Sequence, residues 1–212
     1  MSEQKGLFGV SGSGDTSGFS GLVRQPAHPD EIISSPAPYG EYFDEVVDVL
    51  RERLGGESLR AVVVEHGELT VHIAPDRTAE FCKVLRDDEN LKFEFCNSLS
   101  GVDYPDQQHH LHVAYHLTSM TYRRRIRVET SVGADNPVVA SVTGVYPTAD
   151  WQERETYDMF GVIFDGHPAL TRILMPDDWE GYPQRKDYPL GGIDVEYKDA
   201  HIAPPDQRRS YK

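Results

Sequence analysis

The sequence predicts an α+β fold, sandwich-like, in which two to three helices pack on a mixed or antiparallel sheet. A flexible arm precedes this unit and a long extended arm follows it. Three observations predict this. Two stretches carry apolar residues at helical spacing near the start of the compact region. Several strand patterns then follow one another directly, which favours α+β over regularly alternating βαβ units. Gly, Ser and Pro crowd the N-terminal region, and Gly, Pro and aromatics recur at short intervals towards the C-terminus, breaking every periodicity there. The 212 residues suit one domain with extensions, since domains cluster at roughly 100–200 residues. A core of that size needs no covalent staple. The hydrophobic content of 38% and mean hydropathy of -0.53 leave part of the chain outside that core.

Residues 1–38 form the first segment. They cannot bury enough to offset their ordering entropy and read as a flexible arm. Leu7, Phe8, Val10, Phe19, Leu22 and Val23 are scattered through it, which leaves open an arm that folds onto a partner. The compact unit spans 39–165. Phe43, Val46, Val47, Leu50 and Leu54 fall at helical spacing, with Gly55-Gly56 as the stop. Two strands flank His66-Gly67, the second alternating Leu69, Val71 and Ile73 with polar neighbours. Asp76 is placed to cap a second helix running to about Asp87, with Phe81, Val84 and Leu85 inward. A short strand in KFEFCNSLSGVDYP leads to a loop. Next, HHLHVAYHLTSM puts Leu111, Val113, Tyr115 and Leu117 on one face and His110, His112, Ala114 and His116 on the other. In YRRRIRVETSV, Arg123, Arg125 and Arg127 share a face opposite Ile126 and Val128. PVVASVTGVYP adds a strand or turn. The third helix follows, started by a capping box of Asp150 and Glu153 and stopped at Gly161. Residues 166–212 hold no period for long, yet carry Trp179, Tyr182, Tyr188 and Tyr197. They read as an extended arm stabilised by contact with a partner.

A formal net charge of -14 argues against free nucleic acid, whose phosphates demand Lys and Arg. The two cysteines, Cys82 and Cys96, lie in no CxxC pattern and offer no ligand set for thiolate-held zinc or an iron–sulfur cluster. Both read as reduced, buried hydrophobes, with a disulfide as the alternative. No apolar run approaches the roughly 18 residues of a membrane span, and no targeting segment is recognisable. The expectation is a soluble intracellular chain, most simply bacterial.

Three constellations invite chemistry. A His-x-His pattern on a strand can hold a metal from one side, but no nearby Asp, Glu or Cys pattern completes a site, and a solvated or interface face explains it as well. The Arg123, Arg125 and Arg127 stripe suits carboxylates or phosphates; cross-strand pairing, a solvated face and a docking stripe for an acidic segment all fit. The third helix mixes charges and aromatics around its circumference, and Arg154 and Asp158 are spaced to pair. As an acid–base pair Glu153 and Glu155 fail, because residues two apart on a helix diverge by about 200°. No nucleophile–base pair or phosphate loop accompanies them. The pattern suits a helix contacted from several sides, its charges met by partners.

The same region carries a family resemblance. Glu153-Arg154-Glu155, Tyr157-Asp158-Met159-Phe160-Gly161, Gly166-His167-Pro168, Arg172-Ile173-Leu174, Asp178-Trp179-Glu180-Gly181 and Arg185-Lys186-Asp187-Tyr188-Pro189 occur in one order. Together they closely resemble the signature of the C-type peripheral-arm subunit of proton-pumping NADH:quinone oxidoreductase, respiratory complex I. The resemblance covers about residues 39–192; Thr171 and Gln184 stand where relatives often differ. It implies a compact α/β domain whose C-terminal extension wraps the hydrogenase-like large subunit that lines the quinone pocket. It implies no cofactor on this chain, the complex using FMN, iron–sulfur clusters, NADH and quinone through other subunits. Neighbouring iron–sulfur subunits are further expected partners. The place implied is peripheral, on the cytoplasmic side of a bacterial plasma membrane, with electron transfer coupled to proton or sodium translocation.

On this basis Glu153, Arg154, Glu155 and Asp158 are expected to organise a charged interface with the large subunit. His167, Trp179, Arg185, Lys186, Asp187 and Tyr188 are expected to anchor the arm. No catalytic, cofactor-binding or metal-ligating residue is expected. The alternatives are an equivalent subunit of a membrane-bound hydrogenase or other quinone-linked dehydrogenase, a soluble binding module, and a free-standing hydrolase using the acidic helix.

Overall fold

The computed structural model of the chain describes residues 32–188, 195–197 and 200–202. Residues 1–31, with Leu7, Phe8, Val10, Phe19, Leu22 and Val23, and much of the C-terminal segment beyond 188 lie outside that set. The described core is α+β: a five-stranded mixed sheet of order β1-β2-β5-β4-β3 with helices on one face.

Helix α1, Phe43–Leu54, buries Phe43, Val46, Val47 and Leu50, the face that its spacing requires. The Asp44 carboxylate accepts from the Tyr39 and Gly40 amides at 2.9 and 2.8 Å. Gly55, at φ 87°, ends the helix in a backbone region that disfavours side chains. Strands β1, Leu59–Glu65, and β2, Glu68–Ile73, form a hairpin. His66 and Gly67 both turn it at positive φ, as a two-residue hairpin with matching twist demands. Helix α2, Thr78–Asp87, buries Phe81, Cys82 and Leu85. Asp76 does not cap it: Pro75–Arg77 form a 3-10 turn ahead of the helix, and the N-cap position falls to Arg77, without a side-chain bond.

Strands β3, Phe95–Asp103, β4, Leu111–Ser119, and β5, Arg124–Val132, form an antiparallel meander, and β5 pairs parallel with β2. β3 is thus a full nine-residue strand, longer than the short one expected. Val71, Val128, Tyr115 and Leu99 lie in register across the sheet. With α1 and α2 they build the core, where Tyr115 and Leu50 are 0% exposed. The opposite face is polar: His72, Glu129, Ala114 and Ser100 form one row, and Thr70, Arg127, His116 and Ser98 the next. Arg123 does not extend the strand; it sits in the β4–β5 turn at φ 55°.

A parallel pair, β6, Val138–Ala140, and β7, Ile163–Asp165, brackets helix α3, Ala149–Phe160. β7 falls where no strand period was legible, because three residues with one buried side chain cannot show alternation. Strands β8, Val195–Tyr197, and β9, Ala200–Ile202, form a separate antiparallel pair. No helix among the described residues is long and apolar enough to cross a membrane.

Candidate functional site

Helix α3 closes the outer edge of the sheet. Gln152 accepts the Leu99 amide of edge strand β3 at 3.0 Å. Gly101 lets the helix come close: a Cβ there would stand 2.4 Å from the Phe160 ring. A glycine inside a strand leaves room for such close approach.

The expected Asp150–Glu153 capping box does not form. The helix begins one residue earlier, at Ala149, and Thr148 provides no side-chain cap. Glu153 instead points inward, fully buried. It accepts from Ser141 Oγ and the Val142 amide, both at 2.7 Å. Burial pushes its pKa up, against these two hydrogen bonds. The expected Arg154–Asp158 pair is absent too. Arg154 donates to the Thr171 and Arg172 carbonyls at 3.2 and 3.3 Å and lies over the Trp151 ring.

Asp158 gathers residues 166–188, here called the strap, onto α3. Its carboxylate accepts the Ile173, Leu174 and Met175 amides at 3.0, 2.7 and 2.9 Å. Arg172 Nη1 adds a charge-assisted bond of 2.6 Å. Burial alone raises this carboxyl pKa, but the Met175 and Leu174 amides, Arg172 and the Ile173 amide outweigh it and set it below the usual range. The second Arg172 nitrogen, Nη2, reaches the Trp179 and Gly181 carbonyls.

Gly161 ends α3 in the left-handed region at φ 76°, as expected. A Cβ there would also strike the Tyr182 ring and Arg185. Arg185 donates through Nε to the Phe160 carbonyl at 2.5 Å and covers Tyr182 at 4.6 Å. A cation thus meets the negative end of the helix. The Lys186 amide donates to Asp103 Oδ2 at 2.7 Å, and His110 Nδ1 donates to Asp103 Oδ1 at 2.6 Å. The His167 side chain is buried. Its Nδ1 accepts the Ala169 amide at 3.0 Å, so Nε2 carries the proton and faces Asp150 Oδ1 at 3.2 Å. Tyr188 packs against Gly181, and Trp179 is half-buried.

The ten residues singled out from sequence therefore divide. Glu153 and Asp158 are 0% exposed and saturated inside the chain, so their carboxylates meet internal donors rather than a partner surface. His167 and Arg185 tie the strap to α3. Glu155, Lys186 and Asp187 are exposed, and Arg154, Trp179 and Tyr188 half-exposed. Glu155, Met159, Phe160 and Leu174 line a cleft of about 310 Å³ between α3, β3 and the strap. Asp103, Gly101, Ser141 and Tyr182 complete the arrangement and were not among the predicted site residues. Asp103 and Lys186 lie too far apart in sequence for any local pattern to join them.

On the polar sheet face the histidines are engaged. His112 Nδ1 contacts Glu129 Oε1 and its Nε2 contacts Gln107 Oε1, both at 2.6 Å. Among the described residues no group of three or more His, Cys, Asp or Glu is placed to hold a metal. Cys82 and Cys96 are free and buried, and burial pushes the Cys96 thiol up to about 11.

With this geometry in hand, similarity to known proteins is informative. Residues 71–194, more than half of the chain, match the family described as "Respiratory-chain NADH dehydrogenase, 30 Kd subunit". The C-type subunit of the NADH-quinone oxidoreductase of Salinispora tropica is 64% identical, over 98% of this chain and 85% of its own length. That of Mycolicibacterium gilvum is 58% identical, over 98% and 93%. Among solved structures, the trypsin-resistant fragment (1-134) of Nqo5 aligns with a TM-score of 0.50 at 25% identity, covering 58% of this chain and 98% of the fragment. A chain of the archaeal membrane-bound sulfane sulfur reductase aligns at 0.59 and 23% identity, over 76% of this chain and 100% of its own, a likeness of fold alone. The fold, the signature residues around α3 and these identities converge: the chain belongs to the family of the 30 kDa, C-type subunit of the respiratory-chain NADH dehydrogenase, complex I.

Proposed function

We propose that this chain is a non-catalytic structural subunit of the peripheral arm of NADH:quinone oxidoreductase. In this reading it supports the hydrogenase-like, quinone-binding large subunit beside neighbouring iron–sulfur subunits, on the cytoplasmic side of the plasma membrane. Electrons pass from NADH to quinone through FMN and clusters held by other subunits, coupled to proton translocation. One observation carries the reading: on the surface made by α3 and the strap, Trp151 is 64% and Leu174 55% exposed. Large apolar side chains left out beside a cleft of mixed polarity mark an interaction surface. Glu155 at the cleft, Arg154 beside Trp151, and Lys186, Asp187, Trp179 and Tyr188 along the strap supply its polar and aromatic rim. Glu153, Asp158, His167 and Arg185 hold the backbone that presents it.

The test is affinity purification of the tagged chain from gently solubilised membranes, with mass spectrometry of what accompanies it. Co-purification of a hydrogenase-like large subunit, iron–sulfur subunits and flavin-bearing NADH-oxidising subunits is expected. Trp179→Ala is expected to lower that yield while the chain stays folded. Recovery of the chain alone, from the soluble fraction, overturns the reading.

A further inference from the structure

The polar face of the sheet holds an open groove of about 750 Å³ where β3, β4 and β5 meet the β1–β2 turn. Ser98, His116 and Arg127 lie in register across it. Arg125 stands two residues before Arg127 on the same strand face, and Arg123 adds a third guanidinium from the turn. Strand geometry spaces the first two by about 6.6 Å.

These cations are poorly compensated. Arg127 Nη2 pairs with Glu129 at 2.6 Å, but its Nε is buried with no hydrogen-bond partner. The Arg123 and Arg125 guanidiniums form no ion pair or hydrogen bond among the described residues, whereas neighbouring Arg124 is committed to Glu45 at 2.8 Å. Glu68 is the one carboxylate in the groove lining, so in a chain of net charge -14 three guanidiniums against it leave a local excess of positive charge.

We propose that the groove binds an extended acidic segment of a partner protein, whose alternate Asp or Glu carboxylates are taken by Arg127, Arg125 and Arg123. Alternate residues of an extended chain project to one side at the strand spacing that separates Arg125 from Arg127, so those periods match, while Arg123 reaches the groove from the turn. A guanidinium fork receives a carboxylate through two parallel bonds. The groove is concave, and its exposed Arg123 and Arg125 forks stand at its rim, which suits a single inserted strand better than a flat lipid surface. A nucleic acid would carry its phosphates beyond the groove across an acidic molecule.

The test titrates the full chain with a fluorescent eight-residue peptide alternating Glu and Thr, against the same peptide with Gln for Glu. Inorganic phosphate and phosphatidylglycerol vesicles form separate arms. Saturable one-to-one binding of the Glu peptide alone is expected, weakened by salt. Arg125→Gln should weaken it about tenfold, and Arg123→Gln with Arg125→Gln should abolish it. Arg53→Gln on α1 removes the same charge elsewhere and should leave it unchanged. Unaltered melting temperatures keep these comparisons interpretable, because Arg123 and Arg125 are exposed. Equal binding of both peptides overturns the proposal. So does arginine-dependent binding of vesicles or phosphate without the peptide, which assigns the groove to a lipid headgroup or a free anion. Self-association abolished by the double variant also overturns it, in favour of a second copy of this chain. The titration uses the chain alone, so its failure is distinct from a failure of the α3 surface to recruit partner subunits.

Discussion

Asp158 gathers four donors at one buried carboxylate, three amides of the strap and the Arg172 guanidinium. Removing one partner of a buried charge pair strands the other, so Asp158→Ala should cost about 3 kcal/mol. Limited proteolysis should then cut within residues 172–188 sooner than in the unmodified chain. The pH dependence has a definite sign. The folded-state pKa of Asp158 lies below its unfolded value, about 3.9. Its stabilisation is therefore present above that value and lost as pH falls through the folded one, so acid should release the strap. Glu153 has the opposite sign, because its folded-state pKa is raised above about 4.3. Its charge penalty is absent below the unfolded pKa and sets in as pH rises through the folded one. Glu153→Gln keeps an acceptor for the Val142 amide and a donor for Ser141, and should flatten that loss with rising pH in a series of denaturation curves.

At the scale of the element, α3 against β3 depends on a missing side chain. Gly101→Ala places a methyl against the Phe160 ring, and overpacking of this kind costs about 1–3 kcal/mol. Phe160→Leu in the same chain should recover part of it, and thermal melts of the two single variants and the double measure the coupling. The helices α1 and α2, the β1–β2 hairpin and the inward face of β4 were legible in the sequence because burial imposes a period on neighbouring residues. What local pattern could not supply was partner choice. Asp150, Glu153, Arg154 and Asp158 have the spacings of a capping box and a helical ion pair, yet Ser141, Val142 and Arg172, each more than ten residues away, claim two of them. Those contacts exist only once β6 and the strap are in place, so local spacing carries no trace of them. Glycines fared better: Gly55 and Gly161 mark helix ends as their positions predict, while the close crossing at Gly101 emerges only in the structure.

At the scale of the whole molecule, two surfaces differ in chemistry. One presents Trp151 and Leu174 beside the α3 cleft; the other presents the arginine groove. A buried aromatic anchor at an interface is worth about 2 kcal/mol or more. Trp151→Ala combined with Leu174→Ala should accordingly lower recovery of partner subunits in affinity purification, with the melting temperature of the isolated chain nearly unchanged. Two faces with different chemistry allow one chain to touch two neighbours without competition between them. Relatives that are subunits of NADH-quinone oxidoreductase work in a multi-subunit complex, which such an arrangement suits.

The two carboxylates that hold the strap, Asp158 near one end and Asp103 near the other, bear on the kinetics of association. Between them, residues 172–188 are fixed on the chain's own surface without help from a partner. A segment ordered in advance loses little conformational entropy on docking, and its binding free energy is not diminished by a folding step. Encounter then resembles the meeting of two rigid bodies, and cutting either tether should slow capture of the partner even where every side chain that touches it is intact.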